Sequence, residues 1–297
     1  MIAPANDPAL LQNQNQIRMA EEAGVASAEL PMRRGDREFI LLVNTVSFNR
    51  EGGRFFLISV TDLTEIRRFE TYRSEFIAAV SHEMKTPLTG IIGAVDAINA
   101  GALDHPDYRA RCIETLTLQS ERLHTLLQNF LTLTSLDALR KTGEENDFLP
   151  VRPLSVVRSA VEVCRSAAEA AGIEIVVGEC IPIEIFADSL LLQQALNNLI
   201  SNAVFHSGTR RIEVFAARTD DGTAVDFCVR DFGCGIAAEH QERIFNRFYR
   251  VPAAGKKHNG SGIGLAIVKR IAQFHHGRVF VSSLPGKGAE FHLELPL

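Results

Sequence analysis

From about Glu65 the apolar residues recur with a helical period. At about 100° per residue, Phe69, Phe76, Val80, Met84, Ile91, Val95 and Ile98 fall within one stripe about 100° wide. The run Ala100-Gly101-Ala102-Leu103-Asp104-His105-Pro106 breaks that pattern. A second amphipathic run follows, carried by Ile113, Leu116, Leu123, Leu127 and Phe130. Two long helices joined by a short loop make a helical hairpin. A lone hairpin leaves part of both stripes in water, whereas two copies cover them in a four-helix bundle, so the pattern predicts a homodimer.

The flanking segments follow other periods. Residues 1–36 are polar and irregular and read as a short helix or disorder. Two β-rich runs, Glu38–Phe48 and Arg54–Val60, flank Glu51-Gly52-Gly53, a hairpin signal. Residues 141–150, ending in Pro150, read as a linker. Beyond it a helix is expected over Leu154–Ala171 and strands over Ile173–Val177 and Ile183–Phe186. Asp188 stands where an N-cap belongs for a helix through Phe205. A hairpin of Arg211–Arg218 and Ala224–Arg230 turns at Asp220-Asp221-Gly222, and a short helix spans about Ala238–Phe245. A helix over Ile263–His275 and two strands around Pro285-Gly286-Lys287-Gly288 finish the chain. Segregated helices with a mostly antiparallel sheet predict an α+β sandwich. Three domains are expected over residues 1–64, 65–142 and 147–297.

Composition narrows the function classes. A chain of 297 residues suits two or three domains, and 46% hydrophobic residues suffice for real cores. A net charge of −5 without a dominant basic patch speaks against nucleic acid as partner. No apolar run approaches membrane-spanning length and no signal peptide is legible. The five cysteines are scattered without a CxxC pair, which fits a reducing, cytoplasmic setting.

His82 lies roughly 160° from the apolar stripe of the first helix, with Thr86 one turn later on nearly the same face and Glu83 beside them. Pro87 removes a helical hydrogen bond next to this group and should bend the helix; an interior Pro costs about 3 kcal/mol. An exposed imidazole is a neutral nucleophile at pH 7, and the adjacent carboxylate can orient the ring and take up its proton. The segment Phe76-Ile-Ala-Ala-Val-Ser-His82-Glu83-Met-Lys-Thr86-Pro87 resembles the phosphoacceptor box of sensor histidine kinases. The resemblance implies phosphorylation of His82, assisted by Glu83. It also implies that Thr86 helps position the water that dephosphorylates the partner. Val60-Thr61-Asp62-Leu63-Thr64-Glu65 resembles the end of a PAS sensory domain, of which about the last two strands are expected.

Four further segments resemble the ATP-binding domain of that family, in family order. Asn198 and Asn202 sit one turn apart on one helix face, where amide oxygens can hold hydrated Mg2+, with Asn202 the metal ligand. Asp231-Phe232-Gly233-Cys234-Gly235 follows a strand; Gly233 and Gly235 permit close backbone approach, and Asp231 is implied to accept from the adenine amino group. Ile244-Phe245-Asn246-Arg247-Phe248-Tyr249 resembles the aromatic box flanking a lid over Val251–Asn259. Gly260, Gly262, Gly264 and Leu265 then open a helix whose amides can cradle phosphate. Beyond these four, Gly286-Lys-Gly288-Ala289 matches the family's last glycine element, with Ala289 where Thr is usual.

One position departs from the family. Phe205 stands where a Lys usually reaches the phosphates, with His206 next to it, and His206, Arg247 or the lid lysines are left to supply charge. The resemblance, over residues 65–297, implies an ATP- and Mg2+-dependent protein histidine kinase with a GHKL-type domain. Its implied partner is the receiver domain of a response regulator, which it would also dephosphorylate. The alternative from a different class is a pseudokinase, a nucleotide-sensing dimeric docking module, which Phe205 favours. Another ATPase of the superfamily fits less well, because such enzymes carry Glu where Asn198 stands.

Overall fold

A computed structural model describes residues 19, 22–35, 37–101, 104–142, 148–251 and 262–297. These form two compact units, 1–81 and 82–297.

In the first unit, β1 (Val25–Arg34), β2 (Arg37–Arg50) and β3 (Gly53–Asp62) form an antiparallel meander. Ala26 and Leu30 on β1 share a buried face with Val43 and Thr45 on β2. All of β3 is exposed. The expectation of a short helix or disorder over residues 1–36 is corrected over Val25–Arg34, while residues 1–18 lie outside the described residues. Val25–Arg34 is a strand, and three strands stand where two were expected. Its Ala, Ser and Pro content gives little β propensity, and the strand is held by its pairing with β2 instead. Helix α1 (Thr64–Asn99) starts on the same unit: Thr64 N–H donates to Asp62 Oδ1 at 2.8 Å, and Nε and Nη2 of Arg67 donate to the Glu29 carboxylate.

The second unit takes up α1 from His82 and continues with α2 (Pro106–Thr142), the partner helix of the hairpin. Within α1, the missing N–H of Pro87 leaves the carbonyl of Glu83 without its helical donor, yet the helix runs on to Asn99. Ala94 and Leu126 are buried, whereas Leu88, Ile92, Val95, Leu127 and Leu131 remain exposed in the single chain.

A five-stranded sheet of order β5-β7-β8-β10-β9 follows, built from β5 (Glu174–Cys180), β7 (Arg211–Arg218), β8 (Ala224–Asp231), β9 (Arg278–Ser283) and β10 (Ala289–Pro296). Only β5 and β7 pair in parallel. Helices α3 (Pro153–Ala170), α4 (Ser189–His206) and α6 (Gly264–Phe274) pack on one face, burying Leu192, Leu196, Leu199, Ile267 and Ile271 with Phe227 and Phe291 of the sheet. The linker reading of 141–150 is corrected at its end: Leu149–Val151 forms β4, paired with β6 (Ile185–Ala187). The short helix expected over Ala238–Phe245 divides into α5 (Ala238–Gln241) and a 3-10 turn, Arg243–Phe245. No helix among the described residues is long and apolar enough to cross a membrane.

One histidine belongs to this architecture. Buried His275 donates from Nδ1 to Ile271 O at 2.8 Å and accepts at Nε2 from Asp188 N–H at 3.0 Å. A ring that donates at one nitrogen and accepts at the other is neutral, and burial holds its pKa below the usual value. Phe148 stacks on it at 4.6 Å, 13° from coplanar.

Candidate active site

His82 is exposed on α1, and Thr86, one turn on, is exposed as well. Glu83 turns toward α2, where Arg122 Nη2 lies 3.7 Å from its Oε2. Arg122 is outside any motif; only the register of the helical hairpin brings it to Glu83. On α2, Thr132 accepts from Gln194 Nε2 of α4 at 3.2 Å, Leu133 and Leu136 are buried, and the helix packs against α6.

The second cluster lies where α4, the end of β8 and the start of α6 converge. Asp188 caps α4, accepting from the N–H groups of Leu190 and Leu191 at 2.9 and 3.0 Å. One face of α4 is core, and Asn198 and Asn202 occupy the half-buried face beside it. A Cβ built on Gly264 would stand 3.6 Å from Asn198 Oδ1, so this amide faces the N-terminus of α6. Asn198 Nδ2 is buried without a hydrogen-bond partner among the described residues, which leaves it a donor to offer a ligand.

Asp231 ends β8 at 4% exposure and accepts from Gly233 N–H at 2.9 Å. Burial raises its pKa, partly opposed by the N–H groups of Gly233 and Ala289. The turn after it requires its glycines. A Cβ at Gly233 would meet Ser207 O at 2.0 Å, and one at Gly235, where φ is 68°, would meet Leu284 O at 2.1 Å. Cys234 N–H donates to Ser207 O at 2.8 Å, which binds this turn to the C-terminus of α4.

Phe245 is buried and meets Phe291 edge-on at 6.4 Å, and Arg247 is half-buried beyond it. Phe248 N–H donates to Gly262 O at 2.8 Å, joining the chain on either side of residues 252–261. Gly262, Gly264 and Leu265 stand at the start of α6. Gly260 and the lid over 252–259 lie outside the described residues. Phe205 is 67% exposed at the end of α4 and His206 is exposed next to it, so neither is a core residue. Asn198 thus meets the start of α6 and the turn after Asp231 is tied to the end of α4; the residue types in these segments, a buried carboxylate, amide oxygens and helix N–H groups, are ones that suit a nucleotide and a divalent cation. A cavity of about 580 Å³ beside Val176, Glu213 and Phe215 lies at another edge of the sheet.

Residues 72–139 match the His Kinase A (phospho-acceptor) domain, and residues 187–297 match the histidine kinase-, DNA gyrase B-, and HSP90-like ATPase domain. The sensor-like histidine kinase SenX3 of Mycobacterium tuberculosis is 35% identical over 249 residues, 84% of this chain and 60% of the relative. The chain therefore spans 60% of the length of that curated relative. Among solved structures, ShkA in complex with AMPPNP is 31% identical with a TM-score of 0.55, covering 75% of this chain and 45% of ShkA. The histidine kinase ThkA in complex with the response regulator protein TrrA shares the fold, with a TM-score of 0.57 at 21% identity over 98% of this chain and 84% of that one. An exposed histidine on a hairpin of the phospho-acceptor type, followed by an ATP-binding domain of the GHKL type, places this chain in the sensor histidine kinase family.

Proposed function

We propose that the protein transfers the γ-phosphoryl group of ATP to His82 and then to an aspartate of a response regulator receiver domain. The observation that carries this reading is the exposed His82 with Glu83 at the next position, in one chain with Asn198, Asn202 and Asp231. A ring nitrogen of His82 attacks the γ-phosphorus, the bond to the bridging oxygen breaks, and ADP leaves. The proton of the other ring nitrogen passes to Glu83. Asp231 accepts from the adenine amino group, and the N–H groups opening α6 at Gly264 meet phosphate oxygens. Asn202, with Asn198 beside it, would hold Mg2+, which neutralises charge on the reacting phosphates.

Thr86 shares the exposed side of α1 with His82 and serves the reverse task, positioning water against an aspartyl phosphate on the docked regulator. The working domains are residues 1–64, a sensor segment, 65–142, the dimeric phosphoacceptor hairpin, and 147–297, the ATP domain. The test is incubation with γ-labelled ATP and Mg2+. Acid-labile, alkali-stable label that disappears in His82→Gln supports the reading; label that survives acid, or that His82→Gln retains, overturns it. Thr86→Ala should keep the label and slow dephosphorylation of the regulator.

A further inference from the structure

The two faces of β8 differ. Phe227 and Val229 point into the core under the helices, and the alternation of the strand sends Asp226, Cys228 and Arg230 to the opposite face. There Cys228 is the cross-strand partner of His292 on β10, and His292 in turn is the partner of Phe280 on β9. The thiol of Cys228, a ring nitrogen of His292 and a carboxylate oxygen of Glu290 lie within 4.8 Å of one another. None of the three belongs to the nucleotide cleft.

The surroundings orient each group. His292 Nδ1 lies 2.8 Å from Asp226 Oδ2, so the neutral ring donates its N–H there and carries its lone pair on Nε2. Phe280 stacks on the ring at 4.7 Å and 14°, which fixes its plane. Glu290 Oε1 is 2.8 Å from Arg230 Nε, a close but poorly aligned ion contact, while Oε2 faces His292 Nε2 at 3.9 Å. Asp226 Oδ1 is buried without a hydrogen-bond partner among the described residues.

We propose that Cys228 Sγ, His292 Nε2 and Glu290 Oε2 form a binding site for a borderline-soft divalent cation of the zinc class, with Asp226 orienting the histidine and water as the fourth ligand. Tetrahedral zinc takes sulfur, imidazole and carboxylate ligands at about 2.0–2.3 Å, so the three atoms need to close by about 1 Å. Hard cations such as Mg2+ disfavour a thiolate, which separates this site from the nucleotide metal. As the metal–sulfur bond forms, the thiol proton leaves to solvent. Without metal, burial pushes the Cys228 thiol up to about 12, so it is protonated and a poor nucleophile, which argues against a redox role for the same group.

The test is titration of the chelator-treated full chain with Co2+, read by the thiolate-to-cobalt charge-transfer band and the visible bands of tetrahedral cobalt, followed by displacement with Zn2+. One saturable equivalent is expected, kept in Cys234→Ala, lost in Cys228→Ala, and weakened at least tenfold in His292→Gln and Glu290→Gln. Asp226→Asn should weaken it about 10–100-fold. His292→Gln and Glu290→Gln keep the test open if Cys228→Ala does not fold. A titration without a thiolate band, one unchanged in His292→Gln and Glu290→Gln, or one lost in Cys234→Ala overturns the proposal.

Discussion

Arg122 on α2 reaches Glu83 on α1, Nη2 to Oε2 at 3.7 Å, so the residue that follows His82 is met by the other helix of the hairpin. The pair is partly exposed, with side-chain exposures of 31% and 18%, and such pairs contribute only about 0–1 kcal/mol to stability. Its importance is therefore orientation. Glu83→Gln should lower His82 phosphorylation about 10²–10⁴-fold. Arg122→Ala should lower it less, and the double variant should be no worse than Glu83→Gln alone. Additive losses in a labelling assay would show that Arg122 acts independently of Glu83.

The two ends of the nucleotide cleft should separate by assay. Asn202→Ala is expected to abolish Mg2+-dependent labelling of His82 while sparing much of the nucleotide affinity. Asp231→Asn removes an acceptor from the adenine end and should weaken nucleotide binding about 10–100-fold, the range of one hydrogen bond to a charged group. Equal losses of nucleotide affinity in the two variants would contradict this division.

Phe205 offers a cleaner test than its apolar character implies. It is 67% exposed, so Phe205→Lys removes no core packing and should change stability by about 0.5 kcal/mol or less. A cation one turn beyond Asn202 should tighten ATP binding about tenfold or more. Nucleotide titration of both proteins decides the matter, and unchanged affinity would mean that the phosphate charge is already met by other groups.

Two histidines give the ATP-binding domain opposite responses to pH. His275 is neutral and buried, with its folded pKa lowered chiefly by desolvation. Between that value and the unfolded value near 6.5 the unfolded chain binds the extra proton, so this contribution is complete above about pH 6.5 and falls as the pH drops. In the metal-free chain His292 is raised chiefly by its hydrogen bond to Asp226, so its contribution is complete below about pH 6.5 and is lost as pH rises through the folded value. Denaturant titrations across this range should show His275→Gln flattening the acid-side loss and His292→Gln flattening the loss on the other side.

The helices were legible because their apolar period is long and uninterrupted, and Asp188 marked its cap correctly. Of the motif residues, Asn198 of α4 meets the start of α6 at Gly264, and the turn after Asp231 is tied to the end of α4 through Ser207. The strand over Val25–Arg34 was hidden by Pro31 and small residues, since its stability resides in a partner strand and not in its own propensity. Pro150 similarly disguised β4, a three-residue strand in a two-stranded ribbon where a missing N–H is tolerated. Arg122 could not be read at all: it lies 39 positions from Glu83, and only the pairing of two helices makes them neighbours.

Leu133 and Leu136 are almost wholly removed from water on α2, a helix that packs against α6, and the neighbouring Thr132 is tied to Gln194 of α4. Burial of a leucine contributes about 1.5–3 kcal/mol. The hairpin thus lends the ATP-binding domain part of its own interior. A fragment cut in the connector at 143–147 would carry an apolar wound on α6, and a chain in which the domain swings away from α2 must wet the same surface each time it does so.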